Sequence, residues 1–295
     1  MSNDNRKDTL SAAPHFAFGK NWANYAEMIG ESQVTGAVRG LTRLLGGGRL
    51  DGKRFLDIGS GSGLHSLAAL KLGAAEVLAV DIDVDSIATT KAVLARYAPG
   101  ANYTVREADV FDMDATHEGG FDVVYSWGVL HHTGDLHRAL RCAANLTRPG
   151  GQFLFAVYRK TLLCSVWRLE KHWYADAGPG TQKALRVIYL GLFRMGLWTT
   201  GRRFHTYVAA YRARGMDFHH DVHDWLGGYP YESMLPAEVA KLMNELGLMP
   251  VRAFVRETHF SRRFGRHPGL LGSGCDEYVY ARPAAAQSDI SACVE

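Results

Sequence analysis

The chain alternates two patterns of apolar residues between positions 54 and 158. Short apolar runs are separated by segments in which apolar residues recur every three or four positions. This alternation is typical of βαβ units and a parallel sheet. We therefore predict an α/β fold with strands at 54–58, 76–81, 102–107, 121–126 and 152–158 and with helices between them.

The clearest predicted helix follows Asp135, whose carboxylate suits the N-cap position. Leu136, Ala139, Leu140, Ala143 and Leu146 then fall on one face, and a Pro-Gly-Gly stretch at 149–151 ends the helix.

After residue 158 the alternation stops, and an aromatic and arginine-rich helical segment extends to Gly228. A helix at 236–246 and strands near 248–257 and 276–282 follow. The sheet is thus interrupted by about 70 residues, which is long enough for a lid or a substrate-binding element.

The most apolar part of this segment runs from Leu185 to Trp198 and is interrupted by Arg186 and Arg194. It is shorter than the roughly 20 apolar residues that span a bilayer. We interpret it as a buried or lid helix. A basic helix at a membrane surface is the less favoured interpretation, since Lys183, Arg202 and Arg203 flank it.

The composition narrows the function classes. In 295 residues, 33 basic and 30 acidic side chains leave a formal charge of +3, which is too small to indicate a duplex-binding surface. The four cysteines lie far apart without a zinc or disulfide spacing. The first residues are polar and lack the apolar run of a signal peptide, so we expect a cytoplasmic protein.

A glycine-rich loop, DIGSGSG at 57–63, follows the first predicted strand. Glycines at such a turn let the backbone approach a ligand closely. A nicotinamide-dinucleotide fingerprint would have its third glycine where this chain has Leu64, and no Gly-Lys-Ser/Thr of a phosphate-binding P-loop follows.

Acidic residues follow the next two strands. Asp81 ends the second strand, where a carboxylate can accept hydrogen bonds from both hydroxyls of a ribose. Asp83 suits an N-cap, and Asp109 follows the third strand, where it could accept from an adenine amine. With Asp57 at the first strand, acids thus stand at three successive strand ends (Asp57, Asp81 and Asp109), and together with the glycine loop they indicate a nucleoside-containing cofactor.

Three ordered motifs carry a family resemblance. FLDIGSGSG at 55–63 resembles motif I of class I methyltransferases. FDVVYSWGVLHH at 121–132 is similar to the fourth-strand motif of their small-molecule branch, which includes the ubiquinone and menaquinone biosynthesis enzymes. LTRPGG at 146–151 matches the turn before their fifth strand.

The resemblance covers residues 50 to 160 and implies a Rossmann-like, seven-stranded, mostly parallel sheet with helices on both faces and a helical lid insertion. It also implies S-adenosyl-L-methionine as methyl donor and S-adenosyl-L-homocysteine as product. The residues expected at the cofactor share a place near the carboxyl ends of the strands or in the covering N-terminal segment: Trp22, Asp57, Gly59, Gly61, Gly63, His65, Asp81, Ile82, Asp109, Val110, Ser126, Trp127, Gly128 and His131.

Two flanking stretches, FGKNW at 18–22 and DWLGGYPYE at 224–232, resemble segments of a bacterial subgroup of these methyltransferases. This resemblance does not indicate a substrate. In related enzymes the N-terminal segment covers the cofactor. Trp22 and Tyr25 are therefore candidate lid residues, and an amphipathic helix packed on the core explains them equally well.

A sulfonium methyl group is already activated, so the protein has to align the acceptor and exclude water. A hydroxyl or protonated amine acceptor also needs a base, for which histidine is suited. His132 is one candidate, whereas His131 is interpreted first as a partner of backbone groups.

His219, His220 and His223 form a second histidine group. Either His220 or His223 could serve as base, and packing against aromatic lid residues explains both equally well. Residues four apart share a helix face, but we expect no catalytic metal there.

Tyr229, Tyr231 and Glu232 follow in a turn shaped by glycine and proline, which suggests polar tips presented to a pocket. A turn held by ring packing on Pro230 is the alternative. The expected catalytic or acceptor residues are thus His132, His220, His223, Tyr229, Tyr231 and Glu232.

Methyl transfer to a small-molecule acceptor is the function that these features favour. The Asn/Asp-Pro-Pro-aromatic motif with which nucleic-acid amino-methyltransferases grip a flipped base is replaced by SWGV at 126–129, so RNA or protein acceptors are less favoured. A non-catalytic cofactor-binding or sensor protein remains the alternative from another class.

The predicted organisation is a mobile N-terminus at 1–14, an N-terminal helical cap at 15–50 and a cofactor-binding core at 51–158. A helical lid insertion at 159–228, the completion of the sheet at 229–282 and a mobile C-terminus at 283–295 follow. We expect no stable membrane insertion, and oligomeric state is not encoded in these patterns.

Overall fold

The computed structural model describes residues 29–199, 201–212, 218–255 and 274–284. The predicted N-terminus at 1–14 lies outside these residues, as does the predicted C-terminus at 283–295 apart from its first two positions.

Seven strands of the described residues form one sheet. In chain order they are β1 Arg54–Ile58, β2 Glu76–Asp81, β3 Tyr103–Glu107, β4 Phe121–Trp127, β5 Thr147–Tyr158, β6 Met249–Phe254 and β7 Cys275–Ala281. The order across the sheet is β3-β2-β1-β4-β5-β7-β6.

The helices surround this sheet. They are α1 Glu31–Leu44, α2 Leu64–Lys71, α3 Val84–Tyr97, α4 Ala115–Glu118, α5 Leu136–Asn145, α6 Cys164–Asp176, α7 Pro179–Thr199, α8 Phe204–Arg212, α9 Phe218–Gly227 and α10 Pro236–Glu245. A 3₁₀ turn, Leu130–His132, follows β4.

Strands β1 to β5 are parallel, and β7 is antiparallel to both of its neighbours. The predicted mostly parallel, seven-stranded fold is therefore confirmed. Helix α5 follows Asp135 as predicted, and the Asp135 carboxylate caps it by accepting the Arg138 N–H at 3.1 Å. Asp83 likewise caps α3 by accepting from Asp85 N and Ser86 N.

The predicted strand bounds differ from the structure mainly at β5. This strand begins at Thr147 rather than at 152, because Thr147 already pairs with Phe121 of β4 before the glycine turn at 150–151. The prediction placed the glycines outside the strand, as their conformational freedom usually indicates. The end of the strand predicted at 248–257 lies partly outside the described residues.

Two apolar layers cover the faces of the sheet, because successive side chains along a strand point to opposite faces. Leu56 and Val124 pack with α5 and α10 on one face. Phe55 and Val123 pack with α1, α2 and α3 on the other. The sheet is therefore buried on both sides, and its strand ends are the places left for a ligand.

Helices α6 to α9, between β5 and α10, form what we call the helical insertion. Tyr174 of α6 packs with Phe218, Val222 and Leu226 of α9 in a separate apolar cluster. In the described residues, no helix is both long and apolar enough to cross a membrane.

Candidate active site

The glycine loop links β1 to α2 and is fixed by backbone contacts with β2. The N–H groups of Gly59 and Ser60 both donate to the Val80 carbonyl, at 2.8 and 3.0 Å. The N–H of Gly61 donates to the Asp81 carboxylate at 3.0 Å. The loop thus lies against the end of β2 without any long side chain between them.

Glycine is required at Gly59 and Gly63 for reasons of space. Both have positive φ, 77° and 74°. A Cβ on Gly59 would lie 2.4 Å from Val129 Cγ2, and one on Gly63 would lie 3.0 Å from Thr90 Cα. No larger side chain fits at either position without a shift of its neighbours.

Asp57 lies beneath the loop and is only 2% exposed. Its carboxylate accepts the Ser66 hydroxyl at 2.6 Å. Burial raises the pKa of Asp57 to about 7, and the nearby Asp81 carboxylate adds to this effect, while the bond from Ser66 opposes it. The residue is therefore a support of the loop and a titratable group near neutral pH.

Asp81 ends β2 and has both carboxylate oxygens oriented by backbone donors. Oδ2 accepts from Gly61 N, and Oδ1 accepts from Asp83 N at 3.0 Å. Burial raises the pKa of Asp81, and these bonds oppose the shift. The next residue, Ile82, is 63% exposed and offers apolar surface beside the acid.

Two predicted cofactor residues, Asp109 and Val110, follow β3 and have different surroundings. The Asp109 carboxylate accepts the Phe111 N–H at 2.9 Å and turns the chain there. Val110 is buried in the core beneath the sheet. Asp109 therefore provides the polar group at this strand end, and Val110 supports it from below.

The end of β4 was predicted to contact the cofactor through three residues. Ser126 is fully buried, and its hydroxyl donates to the Ile58 carbonyl at 3.0 Å, which ties β4 to β1. The Trp127 indole donates to Glu277 at 3.0 Å. Gly128 has a φ of 78° and open space at its Cβ position, so its backbone is the accessible part of this strand end.

His65 lies on α2 and is partly buried. Its ring packs against Tyr125 of β4, with 5.0 Å between ring centroids. Burial lowers the pKa of His65 to about 4, although Glu277 opposes the shift. The side chain is therefore neutral at pH 7.

His131 is fully buried in the 3₁₀ turn after β4. Its Nδ1 accepts the Tyr158 N–H at 3.3 Å, its ring packs on Tyr158, and its carbonyl accepts the Glu232 N–H. Burial drives the pKa of His131 well below its ordinary value. Since Nδ1 accepts, the proton of the neutral ring is on Nε2, and this buried atom has no hydrogen-bond partner among the residues that the structure describes.

His132 is held in one orientation from two sides. Its Nδ1 is 2.7 Å from the Pro230 carbonyl, which can only accept, so Nδ1 carries the proton and Nε2 the lone pair. A Cβ at Gly228 would lie 2.6 Å from Cε1 of this ring. The absence of a side chain at Gly228 thus makes room for the ring.

The turn at 229–232 was predicted to present polar tips to a pocket. The Tyr229 ring meets His172 edge to face, with 4.8 Å between centroids. Tyr231 is 2% exposed, and its hydroxyl lies 3.3 Å from Cys164 Sγ. Glu232 accepts the Leu136 N–H at 2.7 Å, so it caps the start of α5. Their catalytic roles stay predictions.

Of the two other histidines proposed as bases, His223 lies within the helical insertion. Its Nδ1 is 2.8 Å from both the Tyr174 hydroxyl and Arg186 Nη1. The side chain of His220 lies outside the described residues, as does Trp22. The structure therefore brings His131 and His132 to the strand ends and leaves His223 among the packing helices.

Lys171 of α6 is a buried group that the sequence analysis missed. It is fully buried, and its ammonium donates to the Trp225 carbonyl near the end of α9. It also lies 3.8 Å from the centroid of the Trp225 ring. Burial lowers the pKa of Lys171, and Glu170 opposes this. No local pattern distinguishes it from an exposed lysine, because α9 buries it from 54 residues away.

A cavity of about 180 Å³ lies where α5, α6 and the segment after α9 meet. Glu232 and Cys164 line it together with two cationic side chains, Lys160 and Arg168. The Cys164 sulfur accepts the Thr161 N–H at 3.0 Å and the Ser233 hydroxyl at 3.3 Å. Burial raises the pKa of this thiol, but side-chain hydrogen bonds with Ser233, Thr161 and Tyr231 together lower it below its ordinary value.

These elements make a polar edge above β1 to β4. It combines the accessible backbone of the glycine loop with the carboxylates of Asp81 and Asp109. The exposed apolar side chain of Ile82 and the oriented imidazole of His132 lie at the same edge. Such an edge can hold a nucleoside by its ribose and base and can accept a proton beside it.

Comparison with known proteins agrees with this arrangement. Residues 56–155 match the family described as methyltransferase domain. The ribosomal protein L11 methyltransferase of Ralstonia pickettii is 34% identical over 134 residues, which are 41% of this chain and 42% of that protein. A ubiquinone biosynthesis O-methyltransferase of Xanthomonas euvesicatoria is 32% identical over 112 residues, 38% of this chain and 46% of that protein.

The chain thus matches less than half the length of these relatives. Among solved structures, the magnesium protoporphyrin IX methyltransferase of Synechocystis PCC 6803 with bound SAH covers 85% of this chain and 84% of that one, at 17% identity and a TM-score of 0.50. PKMT2 of Rickettsia typhi in complex with AdoHcy has a TM-score of 0.55 at 14% identity, covering 84% of this chain and 52% of that one. Both likenesses concern the fold.

Proposed function

We propose that this protein, whose residues 56–155 match the family described as methyltransferase domain, transfers the methyl group of S-adenosyl-L-methionine to a small-molecule acceptor. S-adenosyl-L-homocysteine would be the product. The observation that carries the proposal is the glycine loop bonded directly to Asp81, with exposed Ile82 beside it.

The residues present suit this donor. Each Asp81 oxygen accepts one backbone N–H, and a carboxylate oxygen has a further lone pair for a ribose hydroxyl. Ile82 supplies apolar surface for the adenine ring. The N-cap residue of α2 is Gly63, which has no side chain to occupy the first N–H groups of the helix, and these groups suit a carboxylate such as that of the donor.

The donor supplies an activated methyl group, and the protein has to position the acceptor and remove a proton where the acceptor carries one. We assign the base to His132. The Pro230 carbonyl fixes its tautomer and leaves the lone pair on Nε2, in the way that an oriented imidazole acts in other enzymes.

The helical insertion, with the turn at 229–232, would form the acceptor side and cover the donor. In support, the turn lies against the 3₁₀ turn that carries His132, since Glu232 N donates to the His131 carbonyl. His223, Tyr229, Tyr231 and Glu232 then belong to the acceptor side as side chains that shape it.

The acceptor class rests on weaker support than the donor. Relatives of 32–34% identity are named for a ribosomal protein, for ubiquinone biosynthesis and, in Aquipseudomonas alcaligenes, for arsenite. Likeness to proteins named for such different acceptors does not select among them. We favour a small molecule because the fourth-strand motif resembles that branch, and a protein acceptor is the alternative to be tested.

Donor binding is the first test. In Asp81→Ala, loss of the ribose bonds should lower S-adenosylmethionine affinity in calorimetry by about a hundredfold or more, at about 1.5–3 kcal/mol for each charge-assisted bond. Asp112→Ala, which removes an exposed acid near the same edge, serves as the control. Unchanged affinity in a folded Asp81→Ala protein would overturn the assignment.

Turnover is the second test. Labelled donor incubated with size-fractionated extract should label a low-mass product, whereas label in the protein fraction would indicate the alternative acceptor. With the product identified, His132→Gln should lower kcat about 10²- to 10⁴-fold and leave donor affinity unchanged. Donor binding without any labelled product would favour a sensor protein.

A further inference from the structure

Helix α7 has apolar side chains on two opposite faces. The inner face, with Leu185, Tyr189 and Phe193, packs in the apolar cluster of the helical insertion. The outer face carries Val187, Ile188, Leu192, Met195 and Trp198, which are between 50% and 78% exposed. At about 100° per residue these five side chains lie within an arc of about 140°.

Helix α6 carries a second exposed apolar stripe. Val166, Leu169 and Trp173 recur at helical spacing, Leu162 precedes them in the same phase, and the four are between 51% and 73% exposed. Single exposed apolar residues are ordinary in a folded protein, but contiguous sets of this kind mark interaction surfaces.

The charges on α7 and in the residues that flank it along the chain are of one sign. Residues 177–216 contain no Asp or Glu, and their basic residues are Lys183, Arg186, Arg194, Arg202, Arg203, Arg212 and Arg214. The chain as a whole has 33 basic and 30 acidic residues, so positive charge is concentrated here. On the helix, Lys183 and Arg194 are exposed and adjoin the outer apolar face.

We propose that the outer face of α7, with the stripe on α6, docks in the plane of an anionic lipid surface. The apolar side chains would enter the boundary between headgroups and acyl chains, and the flanking cations would contact acidic headgroups. The outer face of α7 is bordered by Lys183 and Arg194, and residues 177–216 carry no acid. On α6 the exposed Asp176 adjoins the stripe, and it lies 3.7 Å from His172 Nδ1. The apolar face of α7 with its flanking cations therefore has the charge pattern that an anionic lipid surface attracts.

The same charges disfavour two other occupants. A symmetric dimer through this face would bring the cationic stretch of one copy against that of the other, because a two-fold interface uses the same patch twice. Residues 1–28 contain three acidic and three basic residues and so provide no complementary charge. A bilayer with acidic headgroups provides both the apolar layer and the negative charge.

Flotation of the full chain with vesicles tests the proposal without requiring turnover. We expect binding to vesicles of phosphatidylcholine and phosphatidylglycerol, weak binding to phosphatidylcholine alone, and release at high salt. Ile188→Gln/Leu192→Gln should lower binding more than about tenfold, because two apolar side chains leave the lipid. Lys183→Gln should lower it about fivefold, the effect of one cation near an acidic surface.

Met249→Gln on β6 is the matched control, since Met249 is 61% exposed on another element. Its binding should equal that of the unaltered protein, and circular dichroism should show all variants folded. Equal binding to neutral and anionic vesicles, or unchanged binding of the double variant, would overturn the proposal. So would a dimer in sedimentation velocity that the double variant dissociates, because a second copy would then occupy the face.

Discussion

The glycine-loop edge and the helical insertion are held together by different kinds of contact. At the edge, backbone groups of Gly59, Ser60 and Gly61 bond to the end of the adjacent strand. In the insertion, buried side chains bond across helices, as Lys171 does to the Trp225 carbonyl and Tyr174 to His223.

This difference has a consequence for function. Backbone contacts between neighbouring strands fix one geometry, which suits a donor common to many reactions. Side-chain contacts between helices can change with each sequence, which suits an acceptor that differs between relatives. Substitutions at the glycine-loop edge should therefore change donor affinity, whereas substitutions in the helical insertion should leave donor affinity unchanged.

Gly59→Ala should disrupt the loop. The new Cβ would lie 2.4 Å from Val129 Cγ2 at a φ of 77°. Overpacking costs about 1–3 kcal/mol and a left-handed non-glycine residue about 1–2 kcal/mol, so urea unfolding should show a loss of about 2–5 kcal/mol. Calorimetry should show donor affinity falling with it.

Gly150→Ala provides the control for backbone conformation. Gly150 also has a φ of 77°, but nothing lies within 4 Å of its Cβ position. The free energy of unfolding of Gly150→Ala should therefore fall only by the cost of the left-handed backbone conformation, about 1–2 kcal/mol. Equal losses in the two variants would mean that the contact with Val129 does not restrict the loop.

Lys171→Met should weaken the insertion and spare the edge. The methionine keeps the apolar packing but leaves the Trp225 carbonyl without its donor, at a cost of about 1–3 kcal/mol. Hydrogen exchange should become faster in α9, with donor affinity unchanged. Lys241→Met, on the exposed surface of α10, is the control.

An insertion more stable in Lys171→Met than in the unaltered protein would contradict this expectation. That result would mean that the cost of burying the ammonium exceeds the benefit of its hydrogen bond, as happens for some buried charges.

Lys171 also illustrates what the sequence can predict. The strands and the loop follow from short-range patterns: apolar runs of a few residues, glycines at turns and acids at strand ends. The burial of Lys171 and the ion pair between Arg159 and Asp276 depend on residues 54 and 117 positions away. Nothing in the local sequence distinguishes such side chains from exposed ones.

The same limit applies to the predicted site residues, whose contacts with the cofactor stay predictions. Asp81 and the glycines lie at the edge because the strand pattern places them there. The predicted cofactor contact of Ser126 stays untested, and its hydroxyl bonds within the sheet to the Ile58 carbonyl. The motif identified the position and could not identify which way the hydroxyl bonds.

Asp57 should make donor binding depend on pH. Burial raises the pKa of Asp57 to about 7, and the sulfonium and ammonium of the donor would lower it again. Binding should therefore release a proton near pH 7, and affinity should rise as pH increases from about 5 to 8, by up to about tenfold per unit below the pKa. Calorimetry in buffers of different ionisation enthalpy measures the proton.

The stability of the donor-free protein should have the opposite pH dependence and decrease as pH rises. Since the folded pKa of Asp57 lies above its ordinary value, the contribution of Asp57 to stability is present at low pH and is lost as pH rises towards 7. Asp57→Asn should weaken both dependences and leave the part that Asp81, whose pKa burial also raises, contributes. A donor affinity that stays constant from pH 5 to 8 would show that the donor's charges do not act on Asp57.

Glu232 gives the smallest expected effect and separates a structural role from a catalytic one. Its carboxylate accepts the first N–H of α5 at 2.7 Å, and burial raises its pKa while that bond opposes the shift. In Glu232→Gln an amide oxygen can keep the bond, and loss of charge at a helix start costs about 0.3–1 kcal/mol. In Glu232→Ala the cap is lost, at a cost of about 1 kcal/mol.

If Glu232 only caps the helix, turnover should follow stability, with Glu232→Gln close to the unaltered protein and Glu232→Ala slightly below. If it takes a proton during the reaction, Gln should lower kcat as severely as Ala, because neither can accept that proton. Thermal unfolding measured beside kcat for the same two variants therefore decides whether Glu232 belongs to the acceptor chemistry or only to the framework that holds His131 and α5 in place.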